Sequence, residues 1–324
     1  MRVRVNAKWL QTQAVTLDEL RQELGVGGDA FVFCGGFGAS GDRLLEEGMV
    51  LTIIEREKCK EFVAKLSKKL AEAAAQNWEQ NCAQNLQNCE LSKPNLVLTN
   101  EDFGETAAGF GEQHGVLELD AAALQEMMAV RNSPLINSAL NATKVGVAGL
   151  GGLGSSVAIS LARVGVKRLL LVDFDEVDPS NLNRQQYFLA DIGKPKTQAL
   201  SEILARINPF VSVEVAQRRV TLQNAKEVFA GCGIVAECFD NPQSKAALIN
   251  GLGEECKIVA ASGLAGFGHS EEIRQKRLSE NVWVCGDLVR GARVGEGLMS
   301  PRVGICANFQ ANLILELLVW MISK

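Results

Sequence analysis

The spacing of apolar residues changes along the chain, and each change marks a different kind of unit. At the start, Val3 and Val5 alternate with Arg2 and Arg4, the two-residue period of a half-buried strand, and Ala14 and Val15 predict a second extended piece. Thr16 and Glu19 form the pattern that satisfies free N–H groups at a helix start; Leu17, Leu20 and Leu24 follow on one face, and Gly25 ends it. Ala30 to Phe33 and Met49 to Ile54 predict two more strands, with a glycine-rich turn at Gly35 and Gly36 between them. Beyond Glu57, Phe62, Leu66 and Leu70 recur at helical spacing in a stretch rich in Ala, Gln, Asn and Lys. Residues 58 to 120 therefore read as a helical, then irregular connector, and residues 100 to 120 show no period.

From residue 121 the chain reads as a second domain, and from Lys144 strands and helices alternate. Lys144 to Gly149 is a strand and Leu153 to Val164 a helix. Arg168 to Asp173 is nearly continuous in apolar residues, as a strand buried on both faces must be. Ala199, Leu200, Ile203, Leu204 and Ile207 mark a helix that stops at Asn208 and Pro209. Val211, Val213 and Val215 alternate, and Ile234 to Phe239 and Ile258 to Ala261 are strands with a helix between them. The pattern predicts an α/β fold, a doubly wound Rossmann-like and mostly parallel sheet, preceded by a small α+β domain at residues 1 to 57. The apolar run from Leu313 to Ile322 is interrupted by Glu316 and is shorter than the roughly 18 to 20 residues that cross a bilayer, so it predicts a buried helix and no membrane association.

Composition narrows the chemistry. The 324 residues carry a net charge of -5 without basic runs, which argues against nucleic acid as a partner. Nine cysteines without a CxxC pair predict no zinc and reduced thiols in a cytoplasmic protein, and the start lacks the form of a leader peptide. With only His114 and His269, acid–base chemistry built on histidine is poorly supplied.

Gly149-Leu150-Gly151-Gly152-Leu153-Gly154 fits G-x-G-x-x-G between a strand and a helix, where backbone N–H groups and the helix dipole meet phosphate. Asp173 stands 19 residues beyond Gly154, at the end of the next strand, where a carboxylate accepts from ribose hydroxyls. Alone, these residues suggest a nicotinamide dehydrogenase. The next segment points elsewhere. Asp175, Asn181, Arg184, Gln185 and Lys196 follow, and Asp240 with Asn241 ends a later strand. Hydride transfer does not need several cations here, whereas a triphosphate does, because charge moves onto departing pyrophosphate. Arg184 offers a planar fork and Lys196 a point charge; the Asp240 carboxylate suits Mg²⁺.

The runs GLGGLGSS, LLLVDFDEVDPSNLNRQQYF, IGKPKTQAL, RINPF and FDN resemble the ThiF/MoeB family, adenylating enzymes related to the ubiquitin-activating enzymes. AASGLAGFG and GLMSPRVGICANFQAN resemble a shorter ThiF subfamily associated with thiamine biosynthesis. The resemblance implies ATP and Mg²⁺, attack of a terminal glycine carboxylate on the α-phosphate, and release of pyrophosphate. It assigns ribose to Asp173, phosphates to Asn181, Arg184 and Lys196, and the metal to Asp240. It also implies a homodimer, in which Arg131 is the candidate to reach the partner's ATP. Cys285 is a candidate for covalent attachment to the activated carrier, although a buried structural cysteine is the favoured reading.

The order of two strands, a helix and two strands in residues 1 to 57 is that of a β-grasp, ubiquitin-like unit, and the unit resembles the sulfur carrier ThiS. Such carriers end in a free Gly-Gly carboxylate, whereas here Ile54 continues into Glu55-Arg56-Glu57-Lys58. The expected substrate is thus a separate ThiS-type carrier. Adenylation of another carrier or carboxylate, including that of a modified tRNA base, is the alternative reading, and a nucleotide-binding scaffold without activity is another.

Overall fold

The structure is a computed structural model describing residues 1–27, 30–34, 37–39, 41–55, 57–65, 67–68, 92–95, 120–292 and 297–324. The predicted turn at Gly35 and Gly36, the helical positions Leu66 and Leu70, and residues 100–119 lie outside those residues. Two compact units are present, residues 1–75 with 98–137, and residues 76–97 with 138–324.

In the first unit, β1 (Arg2–Val5), β2 (Lys8–Gln11), α1 (Leu17–Glu23), β3 (Phe31–Cys34), β4 (Phe37–Gly38) and β5 (Val50–Ile54) form one sheet and its covering helix. Strand order is β2-β1-β5-β3-β4, with β1 and β5 parallel at the centre. Val3, Val5, Leu17, Leu20, Leu51 and Ile53 close the core between sheet and helix. The capping box at Thr16 and Glu19 forms as expected. The second strand is displaced from its predicted place. Asn6 and Ala7 take positive φ (47° and 70°), so the chain reverses in two residues and β2 begins at Lys8, while Ala14 is buried in the core. The Asn6 amide bonds Ile53 in both directions, at 2.9 and 2.8 Å, and so ties this turn to β5.

The same unit contains α2 (Ala121–Ala129), which packs on β5 and buries Ala123, Leu124 and Met127. Glu126 pairs with Arg4 at 3.6 Å. Past Ile54 the chain does not end in a free tail but becomes helical over residues 57–65. A short helix α3 (Pro134–Ala139) follows α2.

The second unit is an eight-stranded sheet. Its strands are β6 (Ser92–Asn95), β7 (Lys144–Ala148), β8 (Arg168–Asp173), β9 (Ser212–Gln217), β10 (Cys232–Glu237), β11 (Lys257–Ala261), β12 (Arg274–Arg277) and β13 (Val282–Gly286). The order is β12-β13-β11-β10-β7-β8-β9-β6, parallel from β13 to β9 and antiparallel at both edges. Helices α4 (Gly152–Val164), α5 (Lys196–Ile207), α6 (Ala225–Val228), α7 (Pro242–Leu252) and α8 (Ser300–Ile322) connect and cover it. Leu169, Leu170, Leu171 and Val172 are fully buried, as their unbroken apolar run requires. Strand succession reverses between β7 and β10, and in doubly wound folds the ligand crevice opens at that switch point.

Two features depart from expectation. All four β12 residues, Arg-Gln-Lys-Arg, are exposed; an edge strand that discourages further pairing with cations carries no apolar period to read. The C-terminal helix starts at Ser300, well before the apolar run, and its 23 residues make it long and apolar enough to cross a membrane. It lies against the sheet instead, with Arg302 and Gln310 at 3% and 0% exposure, both hydrogen-bonded.

Candidate nucleotide site

The glycine turn leaves β7 at Gly149, whose φ of +89° and close approach to Cys238 and Phe239 admit no side chain. At Gly154 a Cβ would stand 1.8 Å from the Gly149 carbonyl oxygen, so this glycine lets α4 approach the end of β7. The α4 N-cap is Gly151, which leaves the first N–H groups of this helix without a side-chain cap. That arrangement suits an anion. Gly152 faces Arg184, whose Cγ would lie 3.3 Å from an added Cβ, and Gly151 faces the Gln185 amide at 3.7 Å.

Asp173, at the end of β8, is 7% exposed and accepts from Leu150 N–H (2.6 Å) and Asp175 N–H (2.9 Å). Burial raises its carboxyl above the usual carboxylate range, against the pull of those N–H groups and of Lys196. Each oxygen keeps a second lone pair for a ribose hydroxyl. Asp175 in turn takes Lys196 Nζ at 3.1 Å, and its carbonyl accepts the Lys196 N–H at 2.9 Å. The predicted residues are thereby linked from glycine turn to lysine by consecutive contacts.

Arg184 donates to the Ser180 carbonyl (3.2 Å) and to Asn183 Oδ1 (2.8 Å), which holds its fork in one orientation. The Oδ1 atoms of Asn181 and Asn241 both accept backbone N–H groups, from Asp178 and from Ser244 respectively. Both asparagines therefore have structural duties, and only their Nδ2 groups, which are donors, can meet phosphate. Gln185 is 7% exposed, and its Oε1 is buried without a hydrogen-bond partner among the described residues. Asp240 is exposed beyond β10, across the switch point from the glycine turn, and forms no ion pair among the described residues.

Arg131 is placed elsewhere in the chain: it belongs to the first unit, where its guanidinium stacks over Phe33 at 4.6 Å. Cys285 is fully buried and its thiol is pushed up to about 12 by burial, the condition of a structural rather than a reactive cysteine. Sequence reasoning missed Tyr187, Ser155 and Ser156. The Tyr187 hydroxyl donates to the Leu150 carbonyl (2.8 Å), and Gln186 bonds both serine hydroxyls at 3.2 Å, which fastens the arginine-bearing loop onto α4. Their nearness to the GLGGLGSS and NRQQY runs was the available signal.

Known proteins match both units. Residues 1–57 match the ThiS-like ubiquitin family, and residues 126–321 match the ThiF family. The molybdopterin-synthase adenylyltransferase of Salmonella typhimurium is 32% identical over 189 residues, covering 56% of this chain and 74% of that protein. The sulfur carrier protein ThiS adenylyltransferase of Escherichia coli is 31% identical over 183 residues, covering 54% and 72%. Among solved structures, E. coli tRNA N6-threonylcarbamoyladenosine dehydratase in complex with ATP superposes with a TM-score of 0.55 at 21% identity, covering 70% of this chain and 99% of that one, a likeness of fold. Because the family match spans more than half of the chain and its named relatives are adenylyltransferases, this chain belongs to the ThiF family and is an enzyme of the nucleotidyltransferase class.

Proposed function

We propose that this enzyme uses ATP to adenylate the C-terminal glycine carboxylate of a separate ThiS-type sulfur carrier, in thiamine-thiazole sulfur transfer. The observation that carries the reading is the joining of Arg184 and Lys196 to one glycine turn, Arg184 through its contact with Gly152 and Lys196 through Asp175 and Asp173. A carrier carboxylate with a pKa of about 3.5 is ionised at neutral pH and attacks the α-phosphorus without a general base. The bond to pyrophosphate breaks as the acyl–phosphate bond forms. Arg184, Lys196, the Asn181 Nδ2 group and the α4 N-terminus then oppose the negative charge that moves onto the leaving oxygens. Asp173 holds the ribose. The exposed Asp240 carboxylate, whose Oδ1 accepts Asn241 Nδ2 at 3.5 Å, offers the hard oxygen that a divalent cation takes beside phosphates, and Mg²⁺ bound there would supply charge neutralisation.

The ThiS-like unit is not the substrate in this reading, because its last strand runs on into a helix. A homodimer in the cytoplasm, with Arg131 acting toward the partner's nucleotide, belongs to the same proposal. A molybdopterin-pathway carrier is the second reading, favoured by an identity as high as that to the ThiS adenylyltransferase. ATP–pyrophosphate exchange with individual Gly-Gly-tailed carriers separates the two. Exchange that depends on a ThiS-type carrier supports the first, exchange with the molybdopterin carrier alone supports the second, and ATP binding without exchange for any carrier leaves a scaffold.

A further inference from the structure

Glu237, the last residue of β10, has 0% exposure and is a charged side chain in the middle of an apolar sheet. Lys245 on α7 grips both of its oxygens, Oε2 at 2.9 Å and Oε1 at 3.1 Å, and also donates to the Ala261 carbonyl at the end of β11. Glu237 Oε1 accepts the Phe239 N–H at 2.8 Å. From beneath, the fully buried Gln310 of α8 donates to the Glu237 carbonyl (3.1 Å) and to the Val259 carbonyl (2.9 Å). One carboxylate thus ties β10, β11 and α7 together, and Gln310 adds α8.

Stability alone does not account for this pair. Glu237 is fully desolvated while the Lys245 side chain stays 24% exposed, and where a buried carboxylate is paired in this way, well-packed apolar residues of similar size are often as stable or more so. What the pair does supply is geometry. Phe239, whose N–H is held by Glu237, lays its ring against Gly149, where an added Cβ would meet it at 2.9 Å. The next residue is Asp240, and the one after it, Asn241, caps α7, the helix that carries Lys245. The turn that presents Asp240 is therefore held on one side by the Glu237 carboxylate and on the other by the Asn241 cap of the helix that Lys245 ties to Glu237.

We propose that Glu237, clamped by Lys245, is a positioning residue that sets where the Asp240 carboxylate stands at the mouth of the nucleotide crevice. The inference rests on the reading of Asp240 as the metal-holding carboxylate. It predicts that loss of the clamp weakens divalent cation binding while the nucleotide site itself stays intact.

The full-length chain tests it in three variants, Glu237→Gln, Lys245→Gln and Asp240→Ala. Three quantities are measured: Mn²⁺ affinity of the ATP complex by electron paramagnetic resonance, ATP affinity without metal, and half-saturating Mg²⁺ in pyrophosphate exchange. Glu237→Gln should weaken Mn²⁺ binding by about 10- to 100-fold, the usual cost of losing a group that orients a metal ligand, and leave metal-free ATP affinity unchanged. Should that variant not fold, Lys245→Gln carries the same expectation. A folded variant of lower melting temperature but wild-type Mn²⁺ affinity would overturn the proposal and leave the pair a purely structural one. If Asp240→Ala leaves Mn²⁺ affinity unchanged, the metal reading fails and takes the inference with it. If Asp240→Ala weakens Mn²⁺ binding and the clamp variants do not, only the positioning role fails.

Discussion

Replacing Lys196 with methionine separates a catalytic cation from a structural one. Lys196 is the first residue of α5, only 6% exposed, with Nζ 3.1 Å from Asp175 Oδ2. Methionine keeps an unbranched apolar stem in that space and removes the charge. The Asp175 side chain is 47% exposed, so water can solvate it after its partner is lost, and a half-exposed pair of this kind contributes about 0–1 kcal/mol. A cation in the first turn of a helix also opposes the helix dipole, which offsets part of that contribution. Stability should therefore change by no more than about 1 kcal/mol. If Lys196 neutralises the phosphates, exchange should fall by about 100- to 1,000-fold, or about 2.7–4 kcal/mol of transition-state stabilisation. Thermal denaturation and ATP–pyrophosphate exchange on the same preparation read both numbers. A rate loss smaller than the stability loss would refute the phosphate assignment.

The remaining predictions probe other links. Gly154→Ala places a methyl against the Gly149 carbonyl and should cost about 3 kcal/mol or more in thermal denaturation, whereas Gly151→Ala, whose nearest neighbour is 3.7 Å away, should keep the fold and weaken ATP binding measured by calorimetry. Cys285 should resist a disulfide reagent at mildly alkaline pH until the chain unfolds, because a thiol pushed up to about 12 is protonated in the native state; rapid labelling of folded protein would contradict its burial. Asn6→Ala removes two bonds to Ile53 and should destabilise the β-grasp unit by about 1–3 kcal/mol, read by hydrogen exchange in β5. Arg131→Ala separates its two readings: if its work is the stack on Phe33, proteolysis of the first unit quickens and the KM for ATP holds, and if it serves the nucleotide, the KM or kcat changes.

The sequence by itself determined the elements whose residues obey one local rule. β8 was legible because a strand covered on both faces must be apolar throughout, and α1 because its capping box and leucine face are contiguous. The nucleotide turn was legible for the same reason, since its glycines, the strand before it and the helix after it are neighbours in the chain. Where a rule depended on partners far along the chain, the sequence was silent or misplaced the element. β2 was shifted because Asn6 and Ala7 adopt a positive-φ turn that their side chains do not announce, and Asn6 is held there by Ile53, 47 residues away. β12 was invisible because an exposed edge strand needs no apolar face. Tertiary structure alone decided that Asn181 and Asn241 commit their oxygens to caps and that Arg131 stacks on the β-grasp sheet. It alone also joined Glu237 to Lys245 and set Gln310 against the Glu237 and Val259 carbonyls. Each of these depends on which buried polar group finds which partner, and hydrogen-bond pairing between distant segments leaves no period in the sequence.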